Sequence, residues 1–192
     1  KAIPGKATAD AQKKFLRQYR GIKAHGPVYF ADSTHPTLNP VLAAGWIRKG
    51  SDFQIRTNSG RQRVNINGAI DIANMDVISR TCKTVNQASI RDLMRAIRRK
   101  NPEEKHLYFV LDNAPYNRAK SVKKLAKELK VKILYLPPYS PNLNPIERLW
   151  KFMKKKIMAN QYYENIDDYK TALVNFFRGI KKYRAELDSL IT

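Results

Sequence analysis

The stretch from Tyr135 to Trp150 constrains this chain more than any other. An apolar, β-branched run ending at Leu136 stops at Pro137 and Pro138, and a loop rich in proline and asparagine follows. Asn144 reads as a helix N-cap with Pro145 at the first helical position, where a missing N–H costs nothing. Ile146, Leu149, Trp150, Met153 and Ile157 recur at helical spacing and predict a buried stripe. Glu147 then falls in the first turn, where the helix dipole favours a carboxylate. Taken alone, Asn144-x-x-Glu147 is equally a capping box, in which Glu147 only returns a hydrogen bond to the backbone.

Two further acids argue for more than a cap. Asp112 ends the wholly apolar run Leu107–Leu111, and 34 residues separate it from Glu147. Asp32 ends a second apolar run, Val28–Ala31. Three carboxylates placed where elements begin or end can converge on one metal site.

The remaining pattern supplies a frame for them. A short lead-in over residues 1–7 precedes a helix over 8–20, and the first strand, Val28–Ala31, delivers Asp32. Residues 33–63 form a long basic insertion with turn signals at His35-Pro36 and Asn39-Pro40, and a short strand is expected at Trp46–Gly50. Val64, Ile66, Gly68, Ile70 and Ile72 alternate as a strand, and Val77–Val85 returns as its hairpin partner. A helix starts near Asn86. The strand Leu107–Leu111 is apolar enough to be covered on both faces. A helix over Ala114–Leu129, the strand Val131–Leu136, the helix carrying Glu147 and a final helix or broken pair over Asp167–Thr192 complete the chain. Three strands without intervening helices, then two βα crossovers, predict an α/β, ribonuclease-H-like mixed five-stranded sheet with helices on both faces. In that topology the first strand is central and the fourth lies parallel beside it, which brings Asp32 and Asp112 together.

Charge restricts the partner. Thirty-seven Lys and Arg against 16 Asp and Glu give a net charge of +21 across 192 residues. So basic a domain requires a polyanion, and nucleic acid is the first candidate. An anionic membrane is disfavoured, because no basic amphipathic segment with an aromatic apolar face is visible. A single cysteine, Cys82, excludes an internal disulfide and a cysteine-based zinc site. No long apolar run and no signal-peptide pattern occur, so a cytoplasmic, nucleoid-associated protein is expected. Two or three carboxylates on a basic domain suit Mg²⁺ or Mn²⁺, and two such ions can promote phosphoryl transfer. The basic residues expected to contact DNA are Arg56, Arg61 and Arg63 in the insertion, Lys120, Lys123 and Lys124 after Asp112, and Arg148 and Lys151 after Glu147.

These motifs resemble the catalytic domain of mariner-superfamily transposases, in their bacterial insertion-sequence branch. The matching pieces are Tyr29–Asp32, Asn58–Arg61, Asn65–Ala69, Leu111–Pro115 and Tyr139–Glu147, and the resemblance covers residues 25–160. It implies metal-dependent hydrolysis at transposon ends, followed by transfer of the freed 3′-OH into target DNA at TA dinucleotides. By matching position, Asp32, Asp112 and Glu147 are the implied catalytic residues and metal ligands, with two ions. The implied partners are double-stranded element ends and target DNA, together with a second subunit in a synaptic complex. The insertion falls where relatives carry a dimer-contacting or DNA-clamping loop. Relatives also carry upstream helix-turn-helix domains, so residues 1–24 are expected to be a lead-in and helix, and 25–192 the catalytic domain of a fragment. Asn117 stands where many relatives have histidine. A nuclease or resolvase that cuts without joining is the alternative enzyme, and a non-catalytic DNA-binding derivative the alternative binder. Four other groups are expected to be peripheral: His35 in a turn, Asp71 and Asp92 at the surface, and Cys82 as a small packed residue.

Overall fold

A computed structural model describes residues 8–58 and 61–191; the expected lead-in at 1–7 lies outside them, as do Ser59 and Gly60. The central strand is β1 (Val28–Thr34), paired antiparallel with β2 (Asn65–Asp71) and parallel with β4 (Leu107–Leu111). β3 (Asp76–Cys82) pairs antiparallel with β2, and β5 (Val131–Tyr135) pairs parallel with β4. The sheet order is therefore β3-β2-β1-β4-β5, the ribonuclease-H-like order expected.

Strand alternation divides the apolar residues between two cores. Val28, Phe30, Tyr108 and Val110 face one side, which is covered by α1 (Ala9–Ile22), α4 (Ile146–Ile157), α5 (Ile166–Arg178) and α6 (Arg184–Ile191). Tyr29, Ala31, Phe109 and Leu111 face the other, covered by α2 (Gln87–Lys100) and α3 (Lys120–Glu128). Every residue of β4 is buried, which is what a run of five apolar residues needs. α2 starts where expected: the Asn86 side chain accepts from the backbone N–H groups of Ala88 and Ser89, and Ser89 completes the box.

Four expectations change. Trp46–Gly50 forms no strand: it pairs with no neighbour, and Trp46 and Ile47 stand exposed in the insertion, so no packing holds the segment in a ladder. The helix expected over Ala114–Leu129 is broken. Pro115–Arg118 makes a 3₁₀ turn, Ala119 is extended (φ −56°, ψ 143°), and only then does α3 begin. Asp71 is buried rather than at the surface, with its carboxylate accepting from Ala73 N (3.1 Å) and Asn74 Nδ2 (2.7 Å). It ties the β2–β3 turn, where Met75 adopts φ 49°. Along α4, Phe152 is buried as well, while Ile157 is only half-buried. Asp92 and Cys82 stand as read: Asp92 pairs with Arg80 in solvent and Cys82 is half-buried.

α1 is part of the core and not an appendage. Phe15 is buried, and Phe15 and Tyr19 meet Phe30 edge-on at ring-centroid distances of 6.5 and 5.2 Å. Phe15→Ala is expected to destabilise the chain by about 3–5 kcal/mol, the range for a truncated buried aromatic. Urea unfolding measures it, and a change near zero would make α1 a dispensable lead-in.

Candidate active site

The site begins with strand register. β1 and β4 run parallel with Phe30 opposite Val110, and continuing by two residues brings Asp32 level with Asp112. Side chains two apart share a face, so both carboxylates emerge on the face that carries Phe30 and Val110. That is also the face covered by α4, the helix bearing Glu147.

Asp112 leaves β4 into an Asx-type turn. Its Oδ1 accepts from Ala114 N (2.9 Å) and from Asn117 Nδ2 (2.6 Å). Asn117 is buried in the 3₁₀ turn, and its carbonyl accepts from the Tyr135 hydroxyl (3.2 Å). Asn117 thus orients Asp112, a role the sequence left unassigned.

Glu147 arrives through the loop after β5. Leu136 N donates to Leu111 O (2.8 Å) and Asn113 Nδ2 to Leu136 O (2.6 Å), so the loop leaves the sheet beside Asp112. Tyr139 takes a left-handed conformation (φ 54°), Pro141–Leu143 makes one 3₁₀ turn, and α4 follows. The expected cap is not formed. Pro145, not Asn144, is the flanking residue, and no side-chain capping bond exists. Glu147 N instead reaches Asn144 O (3.2 Å), a 3₁₀-type closure of the first turn. Asn144 Oδ1 is buried without a hydrogen-bond partner. The capping-box account of Glu147 therefore loses its geometric basis.

Asp32, Asp112 and Glu147 line one cavity of about 460 Å³, walled by the Pro137–Pro141 loop and Asn144. The Asp32 carboxyl is pushed up to about 6, chiefly by burial and further by the charges of Glu147 and Asp112, against hydrogen bonds from Ser33 and Trp150. The Tyr116 hydroxyl is raised as well, by burial and then by Asp112 and Asp32. Such mutual repulsion is relieved by a cation. The donors are all oxygen, the chemistry of Mg²⁺ or Mn²⁺. Among the described residues, no three His, Cys, Asp or Glu side chains stand close enough together to hold a metal ion as placed. The carboxylates share a wall and do not form a cage.

Trp150 was legible in the sequence only as a core residue. It is buried, and its Nε1 donates to Asp32 Oδ2 (3.1 Å). Gly68, opposite Asp32 on β2, leaves the space its ring occupies: a Cβ there would overlap Trp150 Cη2. An unexplained glycine inside a strand was the available signal.

The basic candidates do not form one patch. Lys120, Lys123 and Lys124 are exposed on α3, on the sheet face opposite α4. Arg56, Arg61 and Arg63 are exposed in the insertion. Lys151 is exposed beside the α4–α6 groove. Arg148 is half-buried, and its Nη1 donates to the carbonyls of Leu190 (3.2 Å) and Ile191 (2.6 Å), closing the end of α6. His35 lies in an exposed turn, with Nδ1 2.7 Å from Asn65 Oδ1.

The fold is of the ribonuclease-H-like class, with three carboxylates lining one cavity at the end of its central strands. Residues 27–170 match the model of the DDE superfamily endonuclease family, and the chain belongs to that family. It is similar to the uncharacterized 39 kDa protein of insertion element IS630 from Shigella sonnei, 25% identical over 71% of this chain and 40% of that protein. It is also similar to the Tcb2 transposase of Caenorhabditis briggsae, 24% identical over 72% of this chain and 57% of that one. The chain thus spans roughly half the length of these relatives. Among solved structures, the catalytic domain of the Mos1 mariner transposase superposes with a TM-score of 0.62 at 18% identity, covering 99% of this chain and 96% of that one. A Mos1 paired-end complex with the left transposon end gives 0.68 at 21% identity, covering all of this chain and 64% of that one. The mariner-type catalytic fold expected from the motifs is therefore present.

Arg148→Ala is expected to cost about 1.5–3 kcal/mol, the value of hydrogen bonds from a charged donor. DNA affinity should change little, whereas Lys151→Ala should weaken DNA binding without lowering Tm. Thermal melts and binding titrations on both variants separate the roles; equal DNA losses would return Arg148 to the DNA-contacting set.

Proposed function

We propose that this domain cleaves DNA at transposon ends and joins the freed 3′-OH to target DNA, at TA dinucleotides, with Asp32, Asp112 and Glu147 as its metal ligands. The observation that carries the reading is the shared cavity: three carboxylates from β1, the end of β4 and the first turn of α4 meet in one wall. Mg²⁺ or Mn²⁺, two ions in the full reading, would supply activation of the attacking oxygen and charge stabilisation at the leaving one. Mos1 paired-end complexes have been solved with Mg and with Mn, which supports the choice of cation.

The chain's own groups do the rest. Asn117 and Ala114 N hold Asp112, and the loop from Pro137 to Pro141 screens the carboxylates from bulk water on one side. Cationic side chains hold the phosphodiester near a site that would otherwise repel it. The insertion exposes Leu42, Trp46, Ile47 and Phe53 as well as its arginines, a composition suited to a second subunit or to DNA in a synaptic complex.

Glu147→Gln is the sharpest probe, because it preserves shape and removes only the charge. Cleavage and joining should both fall at least about 10²-fold, the minimum for losing a group that stabilises developing charge. Near-normal rates would return Glu147 to a structural role. Joining of a pre-cut 3′-OH end separates a transposase from a nuclease that only cuts.

DNA binding should be sequence-tolerant and salt-sensitive. With 6–10 phosphates contacted, affinity is expected to fall about 10³- to 10⁵-fold between 50 and 200 mM salt. A flat dependence would mean that the +21 charge serves another partner.

A further inference from the structure

We propose that Trp150 is a positioning residue for Asp32, and that residue 68 is glycine so that the indole can reach it. This rests on the reading of Asp32 as a metal ligand.

An indole N–H can only donate, so when buried it requires an acceptor. Trp150 is 4% exposed, and its Nε1 has Asp32 Oδ2 at 3.1 Å. The ring is fixed on its other side by Phe177, edge-on at 6.2 Å. Under it lies Gly68, where any Cβ would strike the ring's Cη2, and Gly68 is the β2 residue opposite Asp32. The ring thus packs on the face of β2 at Gly68 and reaches across to one carboxylate oxygen of the neighbouring strand.

The chemistry of the donor matters. A lysine or arginine would also orient Asp32, but it would neutralise the charge that attracts a cation. An indole N–H fixes the carboxylate and leaves its full charge. Trp150 also lies three residues after Glu147, on the same side of α4. The helix that carries the third carboxylate therefore clamps the first, so a shift of α4 moves both together. Hydrogen bonds to ligating carboxylates are worth about 10- to 100-fold in metal affinity.

The test needs no DNA and no turnover. Trp150 and Trp46 are the chain's two tryptophans, and Trp46 is fully exposed. In a ¹⁵N-labelled sample, one indole N–H resonance should be protected from solvent exchange, and it should shift on Asp32→Asn while the other does not. In calorimetric titration with Mn²⁺, Trp150→Phe and Gly68→Ala should each bind about 10- to 100-fold more weakly than the parent chain, while Asp112 and Glu147 remain in place. If Trp150→Phe fails to fold, the indole resonance in the Trp150-containing chains still decides the contact. Loss of Mn²⁺ binding in Asp32→Asn, with parental affinity in a folded Trp150→Phe, would overturn this inference alone. Full affinity in Asp32→Asn would overturn the metal-ligand reading and this inference with it. An indole signal indifferent to residue 32 would contradict the contact itself.

Discussion

The parallel pairing of β1 with β4 is the constraint on which the rest of this structure hangs. Parallel strands cannot be joined by a tight turn, so a long connection must link them, here the basic insertion, β2, β3 and α2. In exchange the two strands end on the same side. Phe30 stands opposite Val110, and the same register sets Asp32 against Asp112 without any further device. β5 continues the parallel series beside β4, so its exit loop opens over the same edge and leads straight into α4 with Glu147.

That convergence is electrostatically unfavourable. Burial first, and the charges of Glu147 and Asp112 after it, push the Asp32 carboxyl up to about 6. The surrounding structure bears the cost. Phe30 and Val110, two residues before Asp32 and Asp112, and Ile146 and Leu149, flanking Glu147 on α4, are buried in one close-packed core that resists backbone movement. Across the molecule the imbalance is reversed. Exposed ion pairs such as Arg80–Asp92 and Lys170–Asp167 contribute little and neutralise few of the 37 cations. A small anionic pocket set in a cationic surface suits a polyanion held by its backbone, and the proposed cation would offset the charge of the carboxylates.

Much of this was legible in the amino-acid order, for identifiable reasons. Leu107–Leu111 has no charged residue and only the Tyr108 hydroxyl as a polar group, which suits a strand covered on both faces, so its interior place and the position of Asp112 followed. The hairpin of β2 and β3 announced itself by alternation. What could not be read were the contacts that depend on three-dimensional neighbours. Asp71 looked like a surface acid because its partners, Ala73 N and Asn74, are supplied by the turn it helps to form. Trp46–Gly50 has strand-like residues but stands exposed, with no packing to hold it as a strand. The break at Ala119 follows from the turn that Asp112 and Asn117 lock, a tertiary override of helical propensity. Arg148 has the spacing of a solvent-facing cation, yet α6 brings two carbonyls to it.

The central claim is that the meeting point of β1, β4 and α4 is a divalent-cation site. Anomalous diffraction from crystals of the chain grown with Mn²⁺ tests it most directly. Mn²⁺ peaks are expected within about 2.0–2.6 Å of carboxylate oxygens of Asp32, Asp112 and Glu147, the range for hard cations with oxygen ligands. Peaks confined to other acids, such as Asp76 at the far end of β3, with none in the cavity, would contradict it.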